Sequence, residues 1–151
     1  YEERRHAFSF VGGKHGNRGQ FIASLKQEGF DVFSPDDSSF ESMVWAYSKS
    51  VAGLSFSQNS SNTDTQMKAR MFEVPATGAL LVTEYTEDLE NNFEIGKEII
   101  VFKDKEDLLR IAEDIDKSPH KYNEIAKRGH ERFLKDHDST VRLKTLLGNI
   151  K

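Results

Sequence analysis

The feature that most constrains the fold of this chain is an alternation of short apolar runs with stretches of helical spacing. The apolar runs are strand-sized, and turns or polar loops separate them from the helical stretches. They lie at residues 7–11, 30–33, 51–56, 79–82 and 98–102. Strands that alternate with helices over short connections form parallel sheets covered on both faces. We therefore predict a Rossmann-like α/β fold with about five strands, in the order 3-2-1-4-5 of doubly wound sheets.

The C-terminal part of the chain is predicted to be a helical tail. Helical patterns cover residues 104–115, 118–134 and 137–150, and Pro119 takes the first position of the second helix. A length of 151 residues corresponds to about one domain, so residues 1–151 are interpreted as a single domain. The chain does not begin with methionine, which suggests a fragment of a longer protein.

Composition narrows the classes of function. The net charge of −4 argues against a nucleic-acid partner, because domains that neutralise phosphates are usually basic. No apolar run is long enough to span a bilayer, so no transmembrane segment is predicted. The lack of cysteine excludes disulfides and thiolate metal sites and is compatible with the cytoplasm, the expected location. The five histidines lack metal-binding spacing, so no metal site is expected.

A glycine-rich turn at residues 12–18, Gly-Gly-Lys-His-Gly-Asn-Arg, lies between the first strand and the first helix. Backbone N–H groups of such a turn, together with the N-terminus of the next helix, form an anion site. Lys14 and Arg18 would add positive charge, and His15 could bind a phosphate. The pattern matches neither the dinucleotide-binding fingerprint nor the P-loop. The alternative is a tight strand-to-helix turn with solvated cations.

Residues 66–86 combine a short helix, a glycine turn, an apolar strand and a polar loop. In open α/β sheets, ligands bind in the crevice outside the carboxyl ends of the strands. Lys68, Arg70 and Glu73 would lie beside that crevice, where they suit an anionic ligand that also carries hydroxyl groups. A nucleotide sugar has both properties. The alternative is a solvated helix face, the usual position of such charged side chains.

The same stretch resembles a known signature. Residues 68–84, Lys-Ala-Arg-Met-Phe-Glu-Val-Pro-Ala-Thr-Gly-Ala-Leu-Leu-Val-Thr-Glu, are similar to the nucleotide-sugar-binding motif of retaining glycosyltransferases with the two-domain GT-B fold, especially the CgeB-like group. The resemblance implies the C-terminal, donor-binding half of such an enzyme. It also implies sugar transfer from a nucleoside diphosphate sugar with retention, no metal or other cofactor, and an N-terminal acceptor domain as partner.

The resemblance also assigns roles to individual residues. Arg18, Lys68 and Arg70 would stabilise the departing diphosphate, and the Glu73 carboxylate would accept hydrogen bonds from the ribose hydroxyls. No side chain is identified as a general base. The remaining residues predicted to bind the nucleotide sugar belong to the glycine-rich turn, the end of the second strand, the signature and the crevice floor: Gly13, Lys14, His15, Ser34, Thr77, Gly78 and Thr83.

A second interpretation stays open. The wider family often has another Glu eight positions before Glu73, where it contacts the donor sugar, and this chain has Thr65 there. The alternative is a non-catalytic Rossmann or flavodoxin-like module that binds a nucleotide or a protein partner. The sequence argues against a flavodoxin-like receiver domain, which would need acidic residues after the first strand, where this chain has Gly12 and Lys14. The acidic residues between 84 and 94 are interpreted as a solvated loop.

Overall fold

The computed structural model describes residues 4–58 and 64–148. Their five strands form one sheet in which every neighbouring pair is parallel. The parallel sheet predicted from the sequence is thereby confirmed. The strands are β1 (His6–Ser9), β2 (Val32–Phe33), β3 (Ser50–Ser55), β4 (Leu80–Glu84) and β5 (Ile100–Phe102).

The strands are arranged in the order β2-β1-β3-β4-β5, so the predicted order 3-2-1-4-5 is wrong. β3 has six residues, nearly all buried, and it pairs with β1 on one side and β4 on the other. β2 has only two residues, and Phe33 is half-buried there, which suits a sheet edge. The direction of winding therefore reverses between β1 and β3, and this is the switch point at which open α/β sheets bind ligands.

Six α-helices belong to the described residues. Ser39 caps the second helix by accepting from the Ser42 N–H, and Asp104 caps the fourth by accepting from the Asp107 N–H at 2.8 Å. A 3₁₀ turn occupies Glu87–Leu89, and a π-helical turn at Phe133–His137 joins the last two helices. The helices are α1 (Arg18–Gln27), α2 (Phe40–Ser48), α3 (Arg70–Ala76), α4 (Lys105–Lys117), α5 (Pro119–Arg132) and α6 (Ser139–Gly148).

Helices cover both faces of the sheet, as predicted. On one face, α1, α4 and α5 pack over alternate strand residues such as Leu54 and Val82. On the other face, α2 and α3 pack over residues such as Leu81. Gly53 lies under both of these helices, because a Cβ added there would be 2.6 Å from the Val74 side chain of α3 and 2.9 Å from the Tyr47 ring of α2. The lack of a side chain at Gly53 therefore lets α3 approach the sheet closely.

The predicted helical tail is confirmed over the described residues. His137 contacts the Asn92 carbonyl at 2.9 Å, and the Arg142 guanidinium lies over the Phe72 ring. These contacts place the start of α6 beside α3. No helix in residues 4–58 and 64–148 is long and apolar enough to cross a membrane. The end of the predicted last helix, at residues 149–150, falls outside the described residues.

Candidate functional site

A cavity of about 250 Å³ opens at the carboxyl ends of β1 and β3, at the switch point of the sheet. It lies where open α/β sheets place their ligands. Its wall combines apolar residues from the strand ends with three cations, and no carboxylate of residues 4–58 or 64–148 belongs to it. The lining residues are Phe10, Val11, Gly12, Arg18, Ser55, Phe56, Lys68, Ala69 and Arg70.

The glycine-rich turn reaches the cavity through Gly12. Its φ of +145° lies in a region that other residues rarely adopt, so this position favours glycine. Gly13, Lys14 and His15 are exposed and do not line the cavity. A Cβ at Gly13 would be 2.5 Å from the His15 ring, so the His15 ring packs against Gly13 and not against the cavity. The structure therefore brings the start of the turn to the cavity and leaves its middle in solvent.

Arg18 is the first residue of α1, and its side chain bridges two loops. Nη2 donates to the Gln58 carbonyl at 2.7 Å, and Nη1 donates to the Gly13 carbonyl at 3.3 Å. Both acceptors are backbone carbonyls, and no carboxylate within the described residues neutralises this guanidinium. Arg18 therefore presents a positioned positive charge to the cavity.

Lys68 and Arg70 line the cavity together with Arg18, as the sequence predicts. The short helix predicted at the start of residues 66–86 begins only at Arg70, so Lys68 lies in the loop before α3. Desolvation and the nearby charge of Arg18 hold the pKa of Lys68 below its usual range. Arg70 donates from Nε to the Val11 carbonyl at 2.9 Å, which fixes its side chain across the end of β1. Three cations are thus held close to one another.

Glu73 lies one turn along α3 and does not line the cavity. Its carboxylate forms an ion pair with Arg70, and both side chains are about one-third exposed, at 30% and 28%. The ion pair spans three residues of one helix, and it keeps the carboxylate beside a residue that lines the cavity.

Ser55 is a cavity residue that the sequence analysis missed. Only 1% of it is exposed, and its hydroxyl has no hydrogen-bond partner in the described part of the chain. Ser9, on the neighbouring strand, is equally buried and unpaired. Buried hydroxyls normally find partners, so Ser55 retains hydrogen-bonding capacity at the cavity wall. A hydroxyl residue at the end of an otherwise apolar strand was the available signal.

The predicted crevice floor differs from expectation. Thr83 is fully buried within β4, and its hydroxyl donates to the Glu84 carbonyl at 3.1 Å, so Thr83 does not reach the cavity. Glu84 is not part of a solvated loop, because it ends β4 with only 8% exposed. Its carboxylate oxygen Oε2 accepts from the Ser57 N–H at 2.9 Å and from the Gln58 N–H at 3.2 Å.

Three further predicted residues lie away from the cavity. Ser34 follows β2 at the carboxyl edge of the sheet, on the far side of β1. Thr77 and Gly78 lie beyond the other end of α3, at the amino edge. There the Gly78 carbonyl accepts from Arg4, which also donates to the carbonyl of Ser50 at the start of β3. Thr77 donates to the carbonyl of Val74, and Thr77 and Gly78 together form the turn into β4.

The described residues contain no cluster of side chains that could bind a metal ion. Within residues 4–58 and 64–148, no three or more His, Asp or Glu side chains lie together in a way that could hold a metal ion. The chemistry available in the cavity is therefore that of cations, backbone N–H groups and hydroxyls, which bind anions.

A doubly wound parallel sheet with a cation-lined cavity at its switch point defines a Rossmann-like α/β domain. A family model described as glycosyl transferase-like matches residues 18–148, and the chain belongs to this family. No curated protein sequence matches it. The resemblance to glycosyltransferases is thereby confirmed, whereas membership of the CgeB-like group and retention stay predictions.

Among solved structures, sucrose-phosphate synthase from Thermosynechococcus elongatus is similar to this chain, with a TM-score of 0.65 and 16% identity. The match covers 95% of this chain and 38% of the synthase, so the chain spans about two-fifths of that protein. At this identity the likeness concerns the fold alone, and it agrees with the predicted Rossmann-like α/β fold.

Proposed function

We propose that this domain binds the diphosphate of a nucleoside diphosphate sugar in the cavity at the ends of β1 and β3. It would form the donor-binding half of a retaining glycosyltransferase whose N-terminal half binds the acceptor. The observation that carries the proposal is that Arg18, Lys68 and Arg70 line one cavity at the switch point. In the glycosyl transferase-like family, a donor with a charged diphosphate is the ligand that such a cavity suits.

The electrostatics of the cavity favour an anion. Arg18 and Lys68 lie close enough for the charge of Arg18 to lower the pKa of Lys68. Like charges held together cost free energy, and a bound diphosphate would relieve that cost. As the bond between sugar and diphosphate breaks, negative charge grows on the leaving group. Cations that already surround this position stabilise it without rearrangement.

Glu73 would complete the donor site from the side of α3. Its carboxylate can accept two hydroxyl hydrogen bonds, which suits the vicinal diol of a ribose. The ion pair with Arg70 holds the carboxylate next to the diphosphate cations. The exposed turn at Gly13, Lys14 and His15 would close over the phosphates. The nucleobase would lie beside Ser34, at the end of β2.

The proposal leaves out Thr77, Gly78 and Thr83, because the first two lie at the opposite edge of the sheet and the third is buried in β4. Donor binding needs no metal or other cofactor in this scheme. A general base, where the reaction uses one, would come from the acceptor half. The expected compartment is the cytoplasm.

Titration calorimetry with a panel of nucleosides and nucleoside diphosphates tests the proposal. We expect the chain to bind diphosphates more tightly than the matching nucleosides, with an affinity that falls as salt is added. Lys68→Ala should weaken diphosphate binding, whereas Lys97→Ala, which removes an exposed lysine outside the cavity, should not. Equal affinity for nucleoside and diphosphate would contradict the phosphate site.

The chain alone should transfer no sugar, because GT-B active sites lie between two domains. Incubation with a nucleoside diphosphate sugar and a panel of acceptors, followed by chromatography, checks this. Measurable transfer would contradict the two-domain arrangement.

The alternative function, a non-catalytic nucleotide-binding module, is favoured by one observation: the strand order β2-β1-β3-β4-β5 is that of flavodoxin-like domains. It predicts nucleotide binding without transfer even when the upstream half is attached.

A further inference from the structure

Glu84 is a buried carboxylate that lies outside the cavity lined by the three cations. Its Oε2 atom accepts from the Ser57 N–H at 2.9 Å, from the Ser57 hydroxyl at 3.2 Å and from the Gln58 N–H at 3.2 Å. A buried charge is tolerated only when such bonds replace its hydration. The carboxylate therefore fixes the backbone where the chain leaves β3.

The same stretch of backbone holds Arg18. The Gln58 carbonyl accepts from Arg18 Nη2 at 2.7 Å, while the Gln58 N–H is bound by Glu84. The Ser57 carbonyl accepts from the Gln66 N–H at 3.0 Å, and Gln58 pairs with Thr65 across an antiparallel bridge. Glu84 and Arg18 thus bind the two polar backbone groups of one residue, the N–H and the carbonyl of Gln58.

We infer that Glu84 is a positioning residue: through the backbone of Ser57 and Gln58 it holds the Arg18 guanidinium at the cavity and thereby sets the affinity for an anion. The inference rests on the proposed function, because the anion it concerns is the donor diphosphate. The effect expected from positioning is the opposite of the effect expected from charge alone. Removing a negative charge near an anion site should strengthen anion binding, whereas loss of the positioning contact should weaken it.

A double-mutant cycle with inorganic pyrophosphate as the probe tests the inference. We expect Arg18→Ala and Glu84→Ala each to weaken binding by about tenfold, the range of one charge-assisted hydrogen bond. The double variant should bind no more weakly than Arg18→Ala, because Glu84 acts through Arg18. Glu90→Ala, which removes an exposed carboxylate from the same acidic segment, is the control and should change nothing. Tighter binding by Glu84→Ala, unchanged binding or additive losses would overturn the inference.

A conservative variant separates positioning from loss of fold. Glu84→Gln keeps an amide oxygen that can accept from the two N–H groups, so it should fold and restore most of the affinity that Glu84→Ala loses. If Glu84→Ala does not fold, the cycle is run with Glu84→Gln, for which we expect a loss of about threefold that disappears when Arg18 is also replaced. A loss that persists in the Arg18→Ala background would overturn the inference.

A second measurement needs no ligand. In the Glu84 variants, hydrogen exchange at the amides of Ser57 and Gln58 should accelerate, and the NMR signal of Arg18 Nε–H should shift. If the wild-type chain binds no pyrophosphate, the proposed function fails, and these signals still decide whether Glu84 positions Arg18. Unchanged exchange with an unchanged Arg18 signal would overturn the inference.

Discussion

Arg70 and Glu73 form an ion pair within the first turn of α3, and Arg70 also donates to the Val11 carbonyl at the end of β1. The resemblance to glycosyltransferases assigns these two side chains to different groups of one ligand, the diphosphate and the ribose. Their direct contact means that each orients the other. Because both are about one-third exposed, the pair itself contributes only about 0–1 kcal/mol to stability.

Glu73→Gln should lower the affinity for nucleoside diphosphates by about tenfold or more, because charged hydrogen bonds are worth about 1.5–3 kcal/mol. The melting temperature should fall by less than about 4 °C, since only a partly solvated ion pair is lost. Calorimetric titration and thermal denaturation measure the two effects. A variant that loses stability but keeps full nucleotide affinity would show that Glu73 is a structural residue.

Arg70→Ala should weaken diphosphates far more than free nucleosides, because its guanidinium is proposed to bind phosphate. This ligand profile differs from that of Glu73→Gln, which should weaken every ligand that contains the ribose. Comparing both variants against one nucleoside and its diphosphate distinguishes the two roles. Equal losses for nucleoside and diphosphate in Arg70→Ala would contradict the assignment of Arg70 to phosphate.

Gly129→Ala should destabilise the domain by about 1–3 kcal/mol. A Cβ at this position of α5 would be 2.3 Å from the Glu98 carbonyl oxygen, and this backbone atom cannot move aside as a flexible side chain could. Gly148→Ala is the control, because no atom lies within 4 Å of its added Cβ. Urea unfolding should show a lower midpoint for the first variant alone. Equal midpoints would mean that α5 can shift away from the sheet.

Asp114 should contribute to the loss of stability in acid. The Lys121 ammonium at 2.8 Å and the Tyr122 hydroxyl, which donates at 2.5 Å, hold the pKa of this carboxyl below its usual range. A folded-state pKa below the unfolded value stabilises the fold above about pH 4 and loses that effect as the pH falls through the folded-state pKa.

The test compares the free energy of unfolding at pH 7 and pH 3 in urea. Asp114→Asn should reduce the difference between the two pH values, because the variant has no carboxyl to protonate. Asp116→Asn, which changes an exposed neighbour whose carboxylate forms no ion pair within the described residues, should leave the difference unchanged. If the wild type and both variants show the same difference, Asp114 does not contribute to the loss of stability in acid.

Much of the site could be read from local patterns. Gly12 lies in the turn after β1, and Arg18 begins the next helix. Local turn chemistry therefore places both residues at the carboxyl end of a strand. Lys68 and Arg70 precede an apolar strand by one helix, which places them at the same edge. Glu84 could not be predicted in this way. Its burial depends on Ser57 and Gln58, which are distant in sequence and meet it only across the sheet.

The sequence by itself determined the parallel α/β class, the helical tail and the cations of the cavity, because hydrophobic periodicity and turn residues act over a few neighbouring positions. Only the tertiary structure decided that β3 lies at the centre of the sheet and that the switch point falls beside β1. It also separated Gly78 from Arg70. Both belong to one continuous motif, but Arg70 begins α3 and Gly78 follows its end. The helix has seven residues, and at 1.5 Å per residue its length of about 10 Å places the two residues at opposite edges of the sheet.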